Sequence, residues 1–214
     1  MKTEFAALVN PIFQHVLELD ERLRRGAATD FRAELVKIRQ VFSDSEQRAP
    51  QELVDDFAIA RRALIYWTDE ILNESDKNWG CMLEWDCFET DDRATLFYLE
   101  YKDVASRASA DVLEVFYLAV VLGFKGTVLD AYARVGADNE LSGCSTNEQA
   151  RQQWAETLSQ MIPRRRLSAE PSAVSLQGHV DPLPGGRRLK TALICTVVMS
   201  VVCLLLLWVQ WVQS

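Results

Sequence analysis

Apolar residues recur every three or four positions through most of the chain, which is the period of an amphipathic α-helix. In the first third of the chain this spacing predicts three helices, separated near Gly26 and by residues 43–50, which we interpret as a polar loop. Pro11 interrupts the first helix, which is expected either to kink or to restart with Asn10 as its cap. No alternation typical of strands extends over a useful length, so the pattern predicts an all-α protein.

The middle of the chain combines an irregular segment with further helices. Residues 76–89 have no helical period and predict a long ordered loop with one short helix. Helices are expected over residues 96–104 and 111–123. The second of these is apolar nearly all round, which predicts burial on most sides. Gly123 and Gly126 are expected to end it, as caps or a tight turn.

A last helix of the domain is predicted to begin at a capping box formed by Ser145 and Glu148. We expect Pro163 to close it. From there to Gly186 the chain turns to Arg, Ser, Pro, Gly and Gln, which is typical of a linker.

Residues 191–209 carry no charge and, at about 1.5 Å per residue, span roughly the hydrocarbon core of a bilayer. Arg187, Arg188 and Lys190 precede this run, which predicts a cytoplasmic N-terminus. A buried core helix is the alternative. The predicted domains are a cytoplasmic helical domain (1–163), a linker (164–190), a transmembrane helix (191–210) and a periplasmic tail (211–214).

Composition and motif content limit the partners, cofactors and reactions that the chain can be expected to have. The net charge of −8 argues against nucleic acid as a partner and against lying flat on anionic lipid. The five cysteines are expected to be free thiols, and Cys81 with Cys87 lacks the further ligands of a structural zinc site. Residues 123–126 (GFKG) are not a phosphate-binding loop, and no nucleophile–base couple or dinucleotide fingerprint is present. The sequence predicts no cofactor, no metal site and no catalytic residue.

Two motifs carry a resemblance to a known family. Residues 113–118 (LEVFYL) and 122–126 (LGFKG) resemble the LE-x-YYL…LGF-x-G signature of the DotU/IcmH/TssL family. Residues 66–70 (YWTDE) are similar to the aromatic and acidic segment of that family's third helix. The order of elements, including the C-terminal span, also matches. These proteins are inner-membrane components of type VI and type IVB secretion systems.

The resemblance implies two stacked three-helix bundles in the cytoplasm, followed by one transmembrane helix. It also implies an IcmF/TssM-like inner-membrane partner and contact with cytoplasmic baseplate proteins of the TssK/TssE kind. The chain is expected to be a short form without a peptidoglycan-binding domain. Lys125 stands where family members usually carry an acidic residue, and Ala94 and Thr95 replace a Gly-Glu pair.

An acidic helix face is the candidate site. Asp69 and Glu70 are adjacent, and Glu74 lies one turn beyond Glu70. The resemblance implies a groove that receives a partner, so Asp69, Glu70, Glu74 and Lys125 are predicted to bind it. A catalytic acid–base pair and a merely solvated helix face are the alternatives.

A second candidate surface lies in the predicted span. Ala192, Thr196 and Ser200 recur every four residues, and Cys203 continues the same small-residue side. Small residues let helices approach closely in lipid, so this strip predicts self-association or packing against the IcmF-like partner. Chance recurrence is the alternative.

Three classes of function remain open from the sequence. A structural component of a secretion-system membrane complex, type VI before type IVB, is the first. A membrane-tethered enzyme and a generic tail-anchored adaptor are the others. We expect the first, and no enzymatic activity.

Overall fold

The computed structural model describes residues 1–80 and 82–168, and all regular secondary structure in this part of the chain is helical, as predicted. Two 3₁₀ turns, Gln51–Leu53 and Asp138–Leu141, accompany the α-helices. The helices are α1 (Thr3–Arg24), α2 (Phe31–Arg48), α3 (Val54–Ser75), α4 (Met82–Phe88), α5 (Arg93–Val104), α6 (Ala110–Val121), α7 (Val128–Arg134) and α8 (Asn147–Ser168).

The first three helices pack on one another through their apolar stripes. Helix α1 is continuous through Pro11, so it does not restart there. It ends as a glycine-capped helix: Gly26 has a φ of 75°, and the N–H groups of Gly26 and Ala27 donate to the carbonyls of Leu23 and Arg22. Helix α3 is the most enclosed of the three, because every position from Ala63 to Asp69 is buried.

The helices α5 to α8 form the other half of the domain, and α3 contacts both halves through α1, α2, α5 and α6. One continuous hydrophobic core therefore runs through the described residues. Its second half is rich in aromatic rings. Phe97 stacks on Phe124 with ring centroids 4.1 Å apart, and Tyr101 meets Trp154 edge-on at 4.8 Å. Such pairs add roughly 1 kcal/mol each beyond simple burial.

Two expected boundaries are wrong. Residues 43–48 continue helix α2 instead of forming a loop, because Phe42 and Ser45 are buried while Asp44 and residues 46–48 form its exposed face. Helix α8 passes through Pro163 and ends at Ser168. Beyond the proline, Arg165 donates to the carbonyls of Ala105 and Ser106, so tertiary contacts hold the last turn in place.

The cap of α8 also differs by one residue from the prediction. Thr146, not Ser145, accepts a hydrogen bond from a backbone N–H of the first turn, that of Gln149, at 3.3 Å. The Gln149 side chain reaches back to the N–H of Ser145 at 3.0 Å. Two reciprocal hydrogen bonds of the capping-box kind are therefore present, and Gln149 makes the contacts that were expected of Glu148.

The end of α6 and the irregular segment agree with expectation. Gly123 has a φ of 113°, and the N–H of Phe124 donates to the carbonyl of Ala119 at 3.0 Å, which closes the helix. Residues 76–89 contain one short helix, α4.

The chain divides into a compact unit, Met1–Glu170, and a second unit, Pro171–Ser214. The predicted linker beyond Ser168, the predicted transmembrane helix and the predicted tail lie outside the described residues. Among residues 1–80 and 82–168, no helix has the length and apolar character needed to cross a bilayer.

Candidate functional site

Asp69 lies in the core of the domain rather than on its surface. Its side chain has no exposed area, and three donors surround it. The Trp79 indole N–H donates to Oδ1 at 2.7 Å, and the backbone N–H of Glu84 donates to Oδ2 at 2.6 Å. The N–H of Leu83 donates to Oδ1 at 3.2 Å. Asp69 therefore fixes the loop after α3 and the first turn of α4.

Burial raises the pKa of Asp69 above its ordinary value. The hydrogen bonds from Glu84, Trp79 and Leu83, and the charge of Arg93, act in the opposite direction without cancelling the burial. This carboxyl group has donors on both oxygens and no water access, which suits a structural role. It is not part of an exposed acidic face.

Arg93, at the start of α5, joins two carboxylates from different helices. Its Nε donates to Glu70 on α3 at 3.1 Å, and its Nη1 donates to Glu84 on α4 at 3.4 Å. Glu84 is fully buried, and its other oxygen, Oε1, has no hydrogen-bond partner among the described residues. Burial raises the pKa of Glu84 to about 7, against the lowering effect of Arg93. Arg93 thus links the buried Glu84 to Glu70, which is partly exposed.

Glu74 and Lys125 form an ion pair at the surface. Lys125 Nζ lies 2.5 Å from Glu74 Oε1, joining the end of α3 to the turn after α6. Both side chains reach solvent, with Lys125 58% and Glu74 30% exposed. The positive charge of Lys125 is therefore matched by a carboxylate of the chain itself.

Tight packing holds the turn that carries Lys125. The Tyr98 hydroxyl donates to the carbonyl of Lys125 at 2.9 Å, and the N–H of Thr127 donates to the carbonyl of Ala94 at 2.8 Å. Gly126 has a φ of 57°, and a Cβ there would lie 2.5 Å from the carbonyl oxygen of Ala94. A glycine is needed at this point because no side chain fits, which gives the GFKG sequence a structural reason.

The structure thus divides the four predicted site residues. Glu70, Glu74 and Lys125 reach the surface along the end of α3, and we call these three residues the α3 surface. Asp69 lies beneath it and supports it through α4. The predicted strip Ala192, Thr196, Ser200 and Cys203 lies outside the described residues, as does Cys81.

The acidic residues of the segment after α3 do not form one surface. Glu84 is buried, whereas Asp86 pairs with Arg39 of α2 and Asp92 pairs with Arg134 of α7. Among the described residues, no group of His, Cys, Asp and Glu is arranged to hold a metal ion.

Sequence reasoning missed the burial of Asp69 and the roles of Trp79 and Arg93. A signal for the first was available. Residues 63–67 (ALIYW) are apolar on every side of α3, and Asp69 follows Ile65 by one turn and precedes Leu72 by three residues. All three positions lie on one helix face.

Comparison with known proteins identifies a family. The family model described as "Type VI secretion system protein DotU" matches residues 4–212. No curated protein and no solved structure matches the chain.

Proposed function

Because the chain belongs to the DotU family of type VI secretion system proteins, we propose that it is a structural component of the secretion system's inner-membrane complex. In this proposal the helical domain lies in the cytoplasm and docks the baseplate to an IcmF-like membrane partner. The family match over residues 4–212 is the observation that carries the proposal. Helices α1–α3 would correspond to one of the two three-helix bundles that the resemblance implies, and α5–α8, which are four helices, to the other.

The membrane part of the proposal rests on sequence. Residues 191–209 contain no charge and would span about 28 Å as a helix, close to the thickness of the bilayer's hydrocarbon core. Arg187, Arg188 and Lys190 precede them, which favours a cytoplasmic domain. The strip Ala192, Thr196, Ser200 and Cys203 would pack this span against a second copy or a partner's helix.

The docking part of the proposal rests on the α3 surface. Its three charged side chains are exposed in part and paired: Glu70 with Arg93, and Lys125 with Glu74. Side chains that are already ordered lose less entropy on binding than free ones. A partner with charges complementary to Glu74 and Lys125 would therefore be favoured, and a reversal of charge at either position would disfavour it.

The function is tested by purifying the full chain from membranes and identifying the proteins that accompany it. We expect an IcmF-like membrane protein and baseplate proteins. A chain that is found in the membrane fraction without either would contradict the proposal.

Topology and span packing have separate tests. In intact cells, a membrane-impermeant thiol reagent should label Ser214→Cys and leave Cys144 unlabelled; labelling of Cys144 would reverse the proposed orientation. Replacing Thr196 and Ser200 by Leu should abolish cross-linking through Cys203 while the protein stays in the membrane. Unchanged cross-linking would show that the strip is not an interface.

A further inference from the structure

A cavity of about 510 Å³ opens where the start of α1, the start of α6 and the last turn of α8 come together. Four of the residues that line it are cationic: Lys2, Arg107, Arg165 and Arg166. One acidic residue, Asp111, lines it as well. In a chain with a net charge of −8, this is a local concentration of positive charge, and we call it the basic cavity.

The carboxylates around the basic cavity are already engaged. Asp111 accepts a hydrogen bond from the backbone N–H of Lys2 at 2.9 Å and lies 3.6 Å from the Arg166 guanidinium. Arg166 also pairs with Glu114. The N-terminal ammonium of Met1 pairs with both acids as well. Arg166 and this ammonium together balance the two carboxylates, so the other three cations decide the charge of the cavity.

Those three cations are weakly compensated. Arg165 is fixed by the carbonyl oxygens of Ala105 and Ser106 at 3.0 and 2.9 Å, and it has no carboxylate partner among residues 1–80 and 82–168. Lys2 meets Asp111 through its backbone N–H, and its side-chain ammonium has no carboxylate partner in that part of the chain. Arg107 pairs with Asp103, but the two side chains are 65% and 73% exposed, so water screens the pair.

A guanidinium held in place by backbone carbonyls is already oriented for an anion. Phosphate oxygens are preferred partners of such a group, and Lys and Arg beside it add charge without a strict geometry. The volume is ample for a phosphodiester with a small polar headgroup. The cavity therefore has the chemistry of a site for a phosphate-bearing anion.

We infer that the basic cavity binds the headgroup of an anionic phospholipid in the membrane that anchors the chain. This inference rests on the membrane anchor of the proposed function. Residues 169–190, which lead from α8 to the uncharged run, reach at most about 75 Å when extended. The anchor would keep the domain at a high effective concentration near lipid, so a few uncompensated cations suffice for contact. The acidic remainder of the domain is repelled, which makes the contact local and orients the domain.

The test uses the full chain reconstituted into vesicles of phosphatidylcholine alone, or of phosphatidylcholine with phosphatidylglycerol. Backbone hydrogen exchange is measured for residues 105–111. We expect exchange about fivefold slower in the anionic vesicles. High salt should remove the difference, because it screens exposed charges.

The variant Arg107→Glu, alone and with Lys2→Glu, should abolish the slowing. Arg25→Glu is the matched control, because Arg25 also forms an exposed pair four residues apart, with Glu21, but just beyond the opposite end of α1. It should leave the slowing intact. Circular dichroism checks that all variants keep their helix content.

Flotation with vesicles distinguishes this inference from the anchor itself. If the protein floats with both vesicle types but exchange is equal in both, lipid binding by the basic cavity is wrong and the membrane anchor is supported. Flotation with anionic vesicles alone, together with slowed exchange, supports the cavity and contradicts the anchor. Flotation with neither overturns both. If inorganic phosphate slows exchange equally in neutral vesicles, the cavity binds free phosphate and the lipid assignment is wrong.

Discussion

The carboxylate of Asp69 and the indole N–H of Trp79 are joined by a buried 2.7 Å hydrogen bond. Through this bond, the first part of the irregular segment after α3 is tied to the C-terminal half of that helix. The α3 surface is therefore supported from below by groups that no partner can touch. A partner that binds Glu70 or Glu74 therefore depends on the hydrogen bond between Asp69 and Trp79.

The unit Met1–Glu170 is expected to fold by itself, because its core is complete within the described residues. A protein of residues 1–170 should give a helical circular dichroism spectrum and a cooperative melt. A shorter protein ending at residue 163 should melt roughly 5 °C lower, because it lacks the hydrogen bonds of Arg165 and the ion pair of Arg166, together about 1–2 kcal/mol. Equal melting temperatures would show that the end of α8 adds nothing to stability.

Loss of the Asp69 carboxylate should destabilise the domain. Asp69→Asn retains one acceptor oxygen and leaves one of three donors unpaired, at a cost of about 1–3 kcal/mol, whereas Asp69→Ala should cost more. Urea unfolding of residues 1–170 measures the difference. Asp103→Asn, in an exposed pair, is the control and should change stability by about 0.5 kcal/mol or less. If Asp69→Ala left the free energy of unfolding unchanged, the structural role of Asp69 would be wrong.

Glu84 should make stability depend on pH. Burial raises its pKa to about 7 in the folded domain, against 4.5 ordinarily, so the folded state binds its proton more tightly than the unfolded state. Its contribution to stability is full below about pH 4.5 and is lost as the pH rises through 7. Arg93 and Asp69 face the same group and oppose each other's effect.

The variant Glu84→Gln should therefore flatten the stability profile between these pH values. At pH 8 it should be more stable than the native domain, by on the order of 2 kcal/mol, because no buried charge remains to be desolvated. Thermal melts of both proteins from pH 4.5 to 8 provide the measurement. An unchanged slope in the variant would mean that another group titrates.

Gly126 should tolerate alanine poorly. The substitution places a Cβ 2.5 Å from the carbonyl oxygen of Ala94 and 2.8 Å from the Tyr98 ring, in addition to the strain of a positive φ. We expect a loss of about 3 kcal/mol. Gly136 has a φ of 65° with no atom near its Cβ position, so Gly136→Ala isolates the backbone strain and should cost about 1 kcal/mol. Equal losses would mean that the close approach at Gly126 is easily relaxed.

The charges of Glu74 and Lys125 should matter to a partner more than to the fold. Either reversal, Glu74→Lys or Lys125→Glu, breaks an exposed pair and should cost about 1 kcal/mol or less of stability. The double exchange restores a pair in the opposite direction, so stability should return while partner recovery in a pull-down stays low.

Lys102 and Glu140 supply a matched control for that exchange, because they form a comparable pair between distant parts of the chain, between α5 and the second 3₁₀ turn. Their double exchange should leave partner recovery unchanged. If the Glu74 and Lys125 exchange also leaves it unchanged, the α3 surface is only a solvated face.

Local signals in the sequence were sufficient for the helix class and for several helix ends. Gly26 and Gly123 end α1 and α6 as expected, because a positive φ is a local property of the chain. The end of α2 was misplaced because its polar residues satisfy a helix as well as a loop, and only the burial of Ser45 decides between them. The end of α8 was misplaced at Pro163 because contacts with residues distant in sequence outweigh the cost of a proline inside a helix.

The site was harder to predict than the fold. The motif around Asp69 marked the correct segment, yet adjacency in sequence says nothing about which carboxylate is buried. Arg93 pairs with Glu70 from 23 positions away, and Lys125 pairs with Glu74 from 51 positions away. Such pairings depend on how the helices pack, which one sequence does not encode in any short pattern.

The placement of Arg165 has a mechanical consequence. Any pull transmitted along the chain from beyond Ser168 enters the domain through the last turn of α8. The two bonds from Arg165 to the carbonyls of Ala105 and Ser106 would bear that load before it reaches Leu158 and Trp154 in the core. The last turn of α8 would therefore detach from the domain first under load. The aromatic core would keep its packing while that turn detaches.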